Sequence, residues 1–550
     1  MARDLDVLTR LLAIGSLTLA FAACSSGGTN GGHGGSGGAG IGGQGGGAGI
    51  GGGFGGGGVG GGAGIGGVSG TGGSGGAGVG GGTDGGLAGA DGGLGGADAG
   101  LGGTGGSTAG TGGSTGGSSG QGGVVWRPTG SIPPAAPTTY ACTAEIHVAT
   151  TGDDTAGDGT SAMPYKTIGK ATSMATAPGN CVEVHAGTYM PAVTITFPND
   201  GASGSPIVLR SADGKGMAVI DGSANTTAPT LEVSKDYVVV DGFEFKNTSQ
   251  ASGIFVVRFD GQYNSKCNGS VLRNSKLSGG FSQLKVYQKT SNVLVENNEF
   301  TGQTGNSTAS LTGASGLVFR ANYVHDINTG DLGTVILAGG STGATFEKNL
   351  FQDITSAGAA LAFGDTCGAT CDNDPNHYAA VNALARNNIF IRANRALDVM
   401  GCQNCSLLSN SIIDAGASVG YVFRIGSANT NGVTQPTTGL RIIDNLLASP
   451  FGMMGYVMDL AASSSTGLNM DYNLFYNGQI GVAFGQTHPA TADTSSVQGD
   501  PLFVSQTDLR PGTGSPAIGA GTNLVSEVPQ DFMSVARPAS GPFDIGALQH

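Results

Sequence analysis

The chain has 550 residues, 107 of them glycine, and carries a formal net charge of −14. Only 11% of its residues are charged and no basic stripe is visible, which argues against a nucleic-acid partner. From Val124 onward 22 basic residues face 33 acidic ones, a net of −11, so an acidic polymer would need a local basic groove or bridging cations to bind.

In chain order, the first element is the apolar run Leu11 to Ala23, too short to span a bilayer, ending in Ala22-Ala23 directly before Cys24. It resembles a bacterial lipoprotein signal, with Phe21 where leucine is usual. That resemblance implies cleavage after residue 23, lipidation of Cys24, and an exported protein anchored at the outer membrane or cell surface. Residues 24–123 follow. From Gly27 to Gly123 they hold little but Gly, Ala, Ser and Thr, which cannot bury enough apolar surface to offset chain entropy. A flexible tether is expected, with an r.m.s. span of about 50–60 Å.

The folded domain is expected over 124–550. Its first part, about 140–190, reads as a cap: strand Ile146–Ala149, a Gly/Asp loop, a short amphipathic helix near Pro164–Met174 with Ile168 and Ala171 inward, and strand Cys181–His185. Cys142 and Cys181 flank this unit and are expected to pair. A solenoid needs such a cap because its terminal coil exposes core and strand edge.

A phrase then recurs: "VLRNSKL", "LVENNEF", "VFRANYV", "FEKNLF", "LARNNIF", "LLSNSII", "IIDNLL" and "MDYNLF". Aligned on the last polar residue it falls at Ser275, Asn298, Asn322, Asn349, Asn388, Ser411, Asn445 and Asn473. The intervals are 23, 24, 27, 39, 23, 34 and 28. A base period near 23 with insertions predicts an all-β parallel β-helix with short strands, Gly/Asn/Asp corners and a stacked Asn ladder. A β-propeller would need a period of about 40–45.

Three passages give a specific resemblance. "HVATTGDDTAGDGTSAMPYKTIGKA…GNCVEVHAGTY" and "GSPIVLRSADGKGMAVIDG" resemble the opening coils of secreted right-handed β-helix proteins related to pectate lyases. "DPLFVSQTDLRPGTGSPAIGAGT…ARPASGPFDIGALQ", about 498–550, resembles the tail of the choice-of-anchor Q group. The resemblance implies a single right-handed parallel β-helix that binds, and in some relatives cleaves, a polysaccharide, as a lyase or glycoside hydrolase. The competing reading is a non-catalytic adhesin or glycan-binding module; a monomer is expected in either case. "YQKTSNVLVENNEF" resembles the coil that bears the catalytic lysine in chondroitinase-B and alginate-lyase relatives, which maps that role onto Lys289. The acidic calcium ligands of that pattern fall on Ser282 and Leu284, and its partner arginine falls near Gly313.

The longest interval, 39 residues, carries the insertion "GDTCGATCDNDPNHYAA". Its Asp365, Asp372, Asp374 and Asn373 are oxygen donors suited to Ca²⁺, or else an Asx-turn-rich surface loop. His377, Arg386, Arg392 and Arg395 follow and are candidates to meet a substrate carboxylate, since solenoid insertions often edge a binding groove. Cys367, Cys371, Cys402 and Cys405 have a superficial zinc spacing, but an exported chain favours disulfides, local or cross-coil. Cys267, without a near neighbour in sequence, is the expected free thiol.

Overall fold

The computed structural model describes residues 139–550, except 263–266, 329–332, 367, 369–371, 417–419, 451, 453, 461–464, 479–481 and 484–494. The lipoprotein signal, Cys24, the tether, Cys367 and Cys371 lie outside the described residues.

Three ladders of short strands run the length of the domain. Sheet 1 has 12 strands, from Ala144–Val148 to Asn469–Asp471, and sheet 2 has 12, from Gly187–Tyr189 to Val497–Gln498. Sheet 3 runs from Leu231–Val233 to Tyr456–Leu460 and joins a short side ladder through the hairpin Tyr421–Thr430/Val433–Thr438. That hairpin is the one antiparallel pairing among the named strands. From Ile207 to Leu460 each coil visits the three sheets in turn, as the 23-residue period requires.

The corner between sheets 1 and 2 explains the recurring phrase. In each coil one residue turns with φ near +50°, as at Asn274, Asn297, Ala321, Lys348, Asn387, Ser409, Asp444 and Tyr472. The next residue points its side chain inward. Asn298 Nδ2 donates to Asn322 Oδ1 (3.1 Å), Asn322 to Asn349 (3.1 Å), Asn349 to Asn388 (2.9 Å) and Asn388 to Asn410 (3.0 Å). Asn410 continues to Asn445 (2.9 Å) and Asn445 to Asn473 (3.1 Å). The same amides donate to backbone carbonyls of the preceding coil, such as Phe319 O (2.8 Å) from Asn349. The ladder therefore satisfies polar groups that the fold buries. The expected rung at Ser411 is corrected to Asn410: Ser409 takes the left-handed turn, so the residue after it faces inward. Ser411 lies outside the barrel and accepts from Ala547 N (2.9 Å).

Inside, phenylalanines stack coil on coil, with Phe351 and Phe390 centroids 4.8 Å apart. Outside, sheet 1 carries a row of alternating charge: Glu183, Arg210, Asp241, Arg273, Glu296, Arg320, Glu347 and Arg386 occupy one register line. Opposite charges directly across neighbouring strands stabilise this register, and a shift by one coil would oppose like charges.

The cap forms as expected in outline. Cys142 and Cys181 are disulfide-bonded, their Cα atoms 5.5 Å apart. Its helix is shorter than the sequence suggests, Ile168–Met174. Asp154 explains this, because its carboxylate binds Lys166 N and Thr167 N (both 2.9 Å) and holds the preceding residues in a turn. Thr167 then caps the helix by accepting from Lys170 N. At the other end, residues 498–550 fold back over the outside of sheets 1 and 2. Leu509, Ala517, Phe532 and Ile545 pack on Ile389, Ile413 and Leu446 of sheet 2, and Leu524, Val528 and Phe543 pack on Leu408 and Ile443 of sheet 1. Both clusters lie on sheets 1 and 2, away from sheet 3.

Candidate functional site on the outer face of sheet 3

A charged residue in the middle of a buried strand must point outward, because successive side chains alternate. In "FVVRFD" and "SQLKVY", Val257, Phe259, Leu284 and Val286 fill the core, which leaves Arg258 and Lys285 outside on facing positions. Parallel register extends this line to Glu232, Arg258, Lys285, Ser310, Ile336, Ala362, Asp398, Arg424 and Asp459. Eight steps of about 4.8 Å make the line roughly 38 Å long.

Its chemistry concentrates around Lys285. The ammonium Nζ donates to Ser310 Oγ (2.8 Å) and Thr312 Oγ1 (3.1 Å). It lies 5.0 Å from the Tyr287 ring centroid and 5.5 Å from that of Phe255. The Arg258 guanidinium also stands over Tyr287, 5.8 Å from the ring centroid, and pairs with Asp260. Burial raises the Asp365 carboxyl above its ordinary value, against the pull of Thr366 N and of the Lys285 charge. Burial likewise raises Glu232, with Arg258 opposing and Asp260 adding to the rise. Two cations, two aromatic rings and two carboxyls raised by burial therefore gather on this part of sheet 3.

The insertion edges this face. Asn373 bonds Gly339 O through both its backbone N and Nδ2 (both 3.2 Å). At Gly340, φ +73°, a Cβ would meet Asp374 N at 2.3 Å, so glycine is what allows the insertion backbone to sit there. Gln435 of the hairpin donates to Asn376 O (2.6 Å). Insertion and hairpin thus brace one another beside sheet 3.

The residues singled out from sequence separate into those at this face and those elsewhere. Asp365 feels the Lys285 charge and accepts from Thr366 N. Lys289 is not part of the cluster; it is an exposed corner residue with φ +59°. Asp372 accepts from His377 Nδ1 (2.6 Å) and Asp374 from Tyr378 N (2.8 Å), so both serve the loop's own turns. The expected calcium trio of Asp365, Asp372 and Asp374 is not brought together. Among the described residues the one group of three acidic, Cys or His donors is Cys142, Cys181 and Glu183, in which the sulfurs form a disulfide and Glu183 pairs with Arg210 (2.7 Å). These donors do not fit a metal.

Arg386 belongs to the opposite side, where it binds Glu347 (2.6 Å) and Glu527 O of the C-terminal segment. Arg392 pairs with Asp353 (2.6 Å). Arg395 does border sheet 3, farther along the line, held by Asp398 (2.8 Å) and set over Tyr421 with its guanidinium 5.5 Å from the ring centroid. Cys402 and Cys405 are disulfide-bonded to each other, and Cys267 is a buried free thiol.

The sequence pattern described as the Pel9A-like right-handed beta helix region matches residues 146–314, which hold every residue of the Lys285 cluster except Asp365. No curated protein matches the chain. Among solved structures, the complex of XylC with xylose is similar at 12% identity, TM-score 0.47, over 74% of this chain and 98% of that one. Pectate lyase Pel9A is similar at 16% identity, TM-score 0.39, over 75% and 97%. A family 6 polysaccharide lyase from Pseudopedobacter saltans is similar at 12% identity, TM-score 0.39, over 69% and 97%. The three stacked parallel ladders and the matched opening coils make this chain a right-handed parallel β-helix protein.

Proposed function

We propose that this protein is an exported, lipid-anchored monomer that binds an acidic polysaccharide along the outer face of sheet 3. The single observation that carries this is the facing placement of Lys285 and Arg258, with Tyr287 and Phe255 next to them, on the surface of a chain that is otherwise strongly acidic. Cations at fixed positions attract a carboxylate-bearing polymer, and aromatic rings offer flat apolar surface to a sugar. Export through a signal ending before Cys24 accords with the Cys142–Cys181 and Cys402–Cys405 disulfides. Residues 24–123 are then the tether, and residues 498–550 the choice-of-anchor Q-like segment.

A second reading adds cleavage at the same place, by β-elimination. Lys285 in its neutral form would accept the C5 proton next to the uronate carboxyl as the bond from C4 to the glycosidic oxygen breaks, and Asp365 in its protonated form, which burial favours, would give its proton to that oxygen. The test is the absorbance of unsaturated product on pectate, alginate and glycosaminoglycans, with calcium and with chelator. Product from at least one polymer, lost in Lys285→Met and kept in Lys289→Ala, supports cleavage. Binding without product leaves the glycan-binding reading alone, and neither binding nor product refutes both.

A further inference from the structure

The two histidines of the opening phrase, "EIHV" and "VEVH", lie far along the chain from the Lys285 cluster and have no part in the function proposed above. His147 is on the first strand of sheet 1, His185 directly follows the second, and Asp213 follows the third. Three successive coils thus bring them together at the N-terminal cap. His147 Nδ1 and His185 Nε2 are 3.1 Å apart. The ring planes are within 13° of parallel, with centroids 5.3 Å apart, so both nitrogens face one gap.

The outer nitrogens each face a carboxylate. His185 Nδ1 is 3.2 Å from Asp213 Oδ1, and His147 Nε2 is 3.7 Å from Glu145 Oε2. A carboxylate beside a ring nitrogen selects the N–H on that nitrogen, as it does for metal-binding histidines. With its outer nitrogen donating to Asp213, His185 keeps a lone pair on the inner nitrogen, and two neutral imidazoles placed this way can ligate one ion lying off the line between them. With N–metal bonds of about 2.0–2.1 Å, a 3.1 Å separation subtends roughly 98° at an ion, which suits neighbouring ligands. His185 and Asp213 are open to solvent, so an ion can reach the site and waters can complete its shell. Asp213 is already held by Ala186 N (2.6 Å), which fixes the outer carboxylate before any ion arrives.

We infer that His147 and His185 form a binding site for a divalent transition ion of the Zn²⁺, Ni²⁺ or Cu²⁺ class, with Glu145 and Asp213 as positioning residues. Bound there, the ion clips the first coils of the solenoid together at the opposite end of their strands from the Cys142–Cys181 disulfide. Because the ion binds the folded cap and not the unfolded chain, it raises the melting temperature by mass action.

The test is isothermal titration of the full chain with Zn²⁺, Ni²⁺ and Cu²⁺ in turn, with melting curves on the same samples. At least one ion should bind with a stoichiometry that falls by one equivalent in the double variant His147→Ala/His185→Ala, and raise the melting temperature of the wild type only. Asp213→Asn should weaken that equivalent at least several-fold without removing it. If the double variant fails to fold, His185→Gln alone should still lose the equivalent. Equal stoichiometry in wild type and variants for all three ions, the outcome for two rings that merely share a proton, overturns the inference.

Discussion

Removing one rung from the middle of the Asn ladder tests the physical basis of the solenoid. Asn349 accepts from Asn322 N (2.9 Å) and Asn322 Nδ2 (3.1 Å), and it donates to Asn388 Oδ1 (2.9 Å) and Phe319 O (2.8 Å). Asn322, Asn349 and Asn388 are all fully buried, so water cannot replace the lost partner without opening the coil. Asn349→Ala strips the acceptor from both Asn322 donors at once. Each buried group left unsatisfied costs about 1–3 kcal/mol, so the loss for two donors should be roughly 2–6 kcal/mol. The change acts on the folded state, since the left-handed turn belongs to Lys348 and alanine at 349 adds no backbone strain. Urea unfolding followed by circular dichroism gives the cost, with Asn376→Ala, exposed on the insertion, as the surface control at under about 0.5 kcal/mol. If Asn349→Ala costs no more than that control, the ladder does not hold the coils together and the reasoning fails.

Two further predictions concern pH. Burial raises Asp444 to about 7, and its carboxylate accepts from Thr522 N (2.9 Å) of the C-terminal segment while its second oxygen is buried without a partner. A raised carboxyl binds its proton more tightly in the folded state, so stability falls as pH rises from about 4 through about 7 and levels off above that. Asp444→Asn should remove this slope and be more stable at pH 8 by on the order of 2 kcal/mol, read from melting curves across that range. Glu299 behaves oppositely. Hydrogen bonds from His325 first, then Lys276, lower it to about 2, so its contribution is full above about 4.5 and is lost as pH falls toward 2. It is half-exposed to screening, so Glu299→Gln should flatten the acid limb by only about 1 kcal/mol in acid-unfolding midpoints.

The parts of the molecule legible in the sequence are those that repeat at fixed spacing from a backbone requirement. The left-handed corner between sheets 1 and 2 demands the same local solution in every coil, so its Asn residues stood out. The one slip, Ser411 for Asn410, arose where "LLSNSII" offers three polar residues and only the turn at Ser409 decides which faces inward. The 39-residue interval correctly marked the insertion, and Cys142, Cys181 and Cys267 behave as their spacing suggested. Sheet 3 was less legible because the phrase anchors the register at a different corner. The distance from there to "SQLKVY" varies with each connecting loop, so Lys285 was hidden and Lys289, four residues on, drew attention instead. The alternation itself was a usable signal: a lone cation within "VVRFD" and another within "QLKVY" can only face outward. Arg386 misled for a tertiary reason, since its partner Glu527 O comes from 141 residues away. No local pattern encodes that contact.

The claim at the centre of this account is that an acidic glycan lies on sheet 3 across Lys285. Retardation of the folded protein in gels cast with pectate or alginate measures this directly. The wild type, Lys289→Ala and Arg392→Ala should be retarded alike, while Lys285→Met and Tyr287→Ala should migrate as in a gel without polymer. The retardation should weaken as salt rises. A Lys285→Met protein with intact circular dichroism and wild-type retardation would contradict the account.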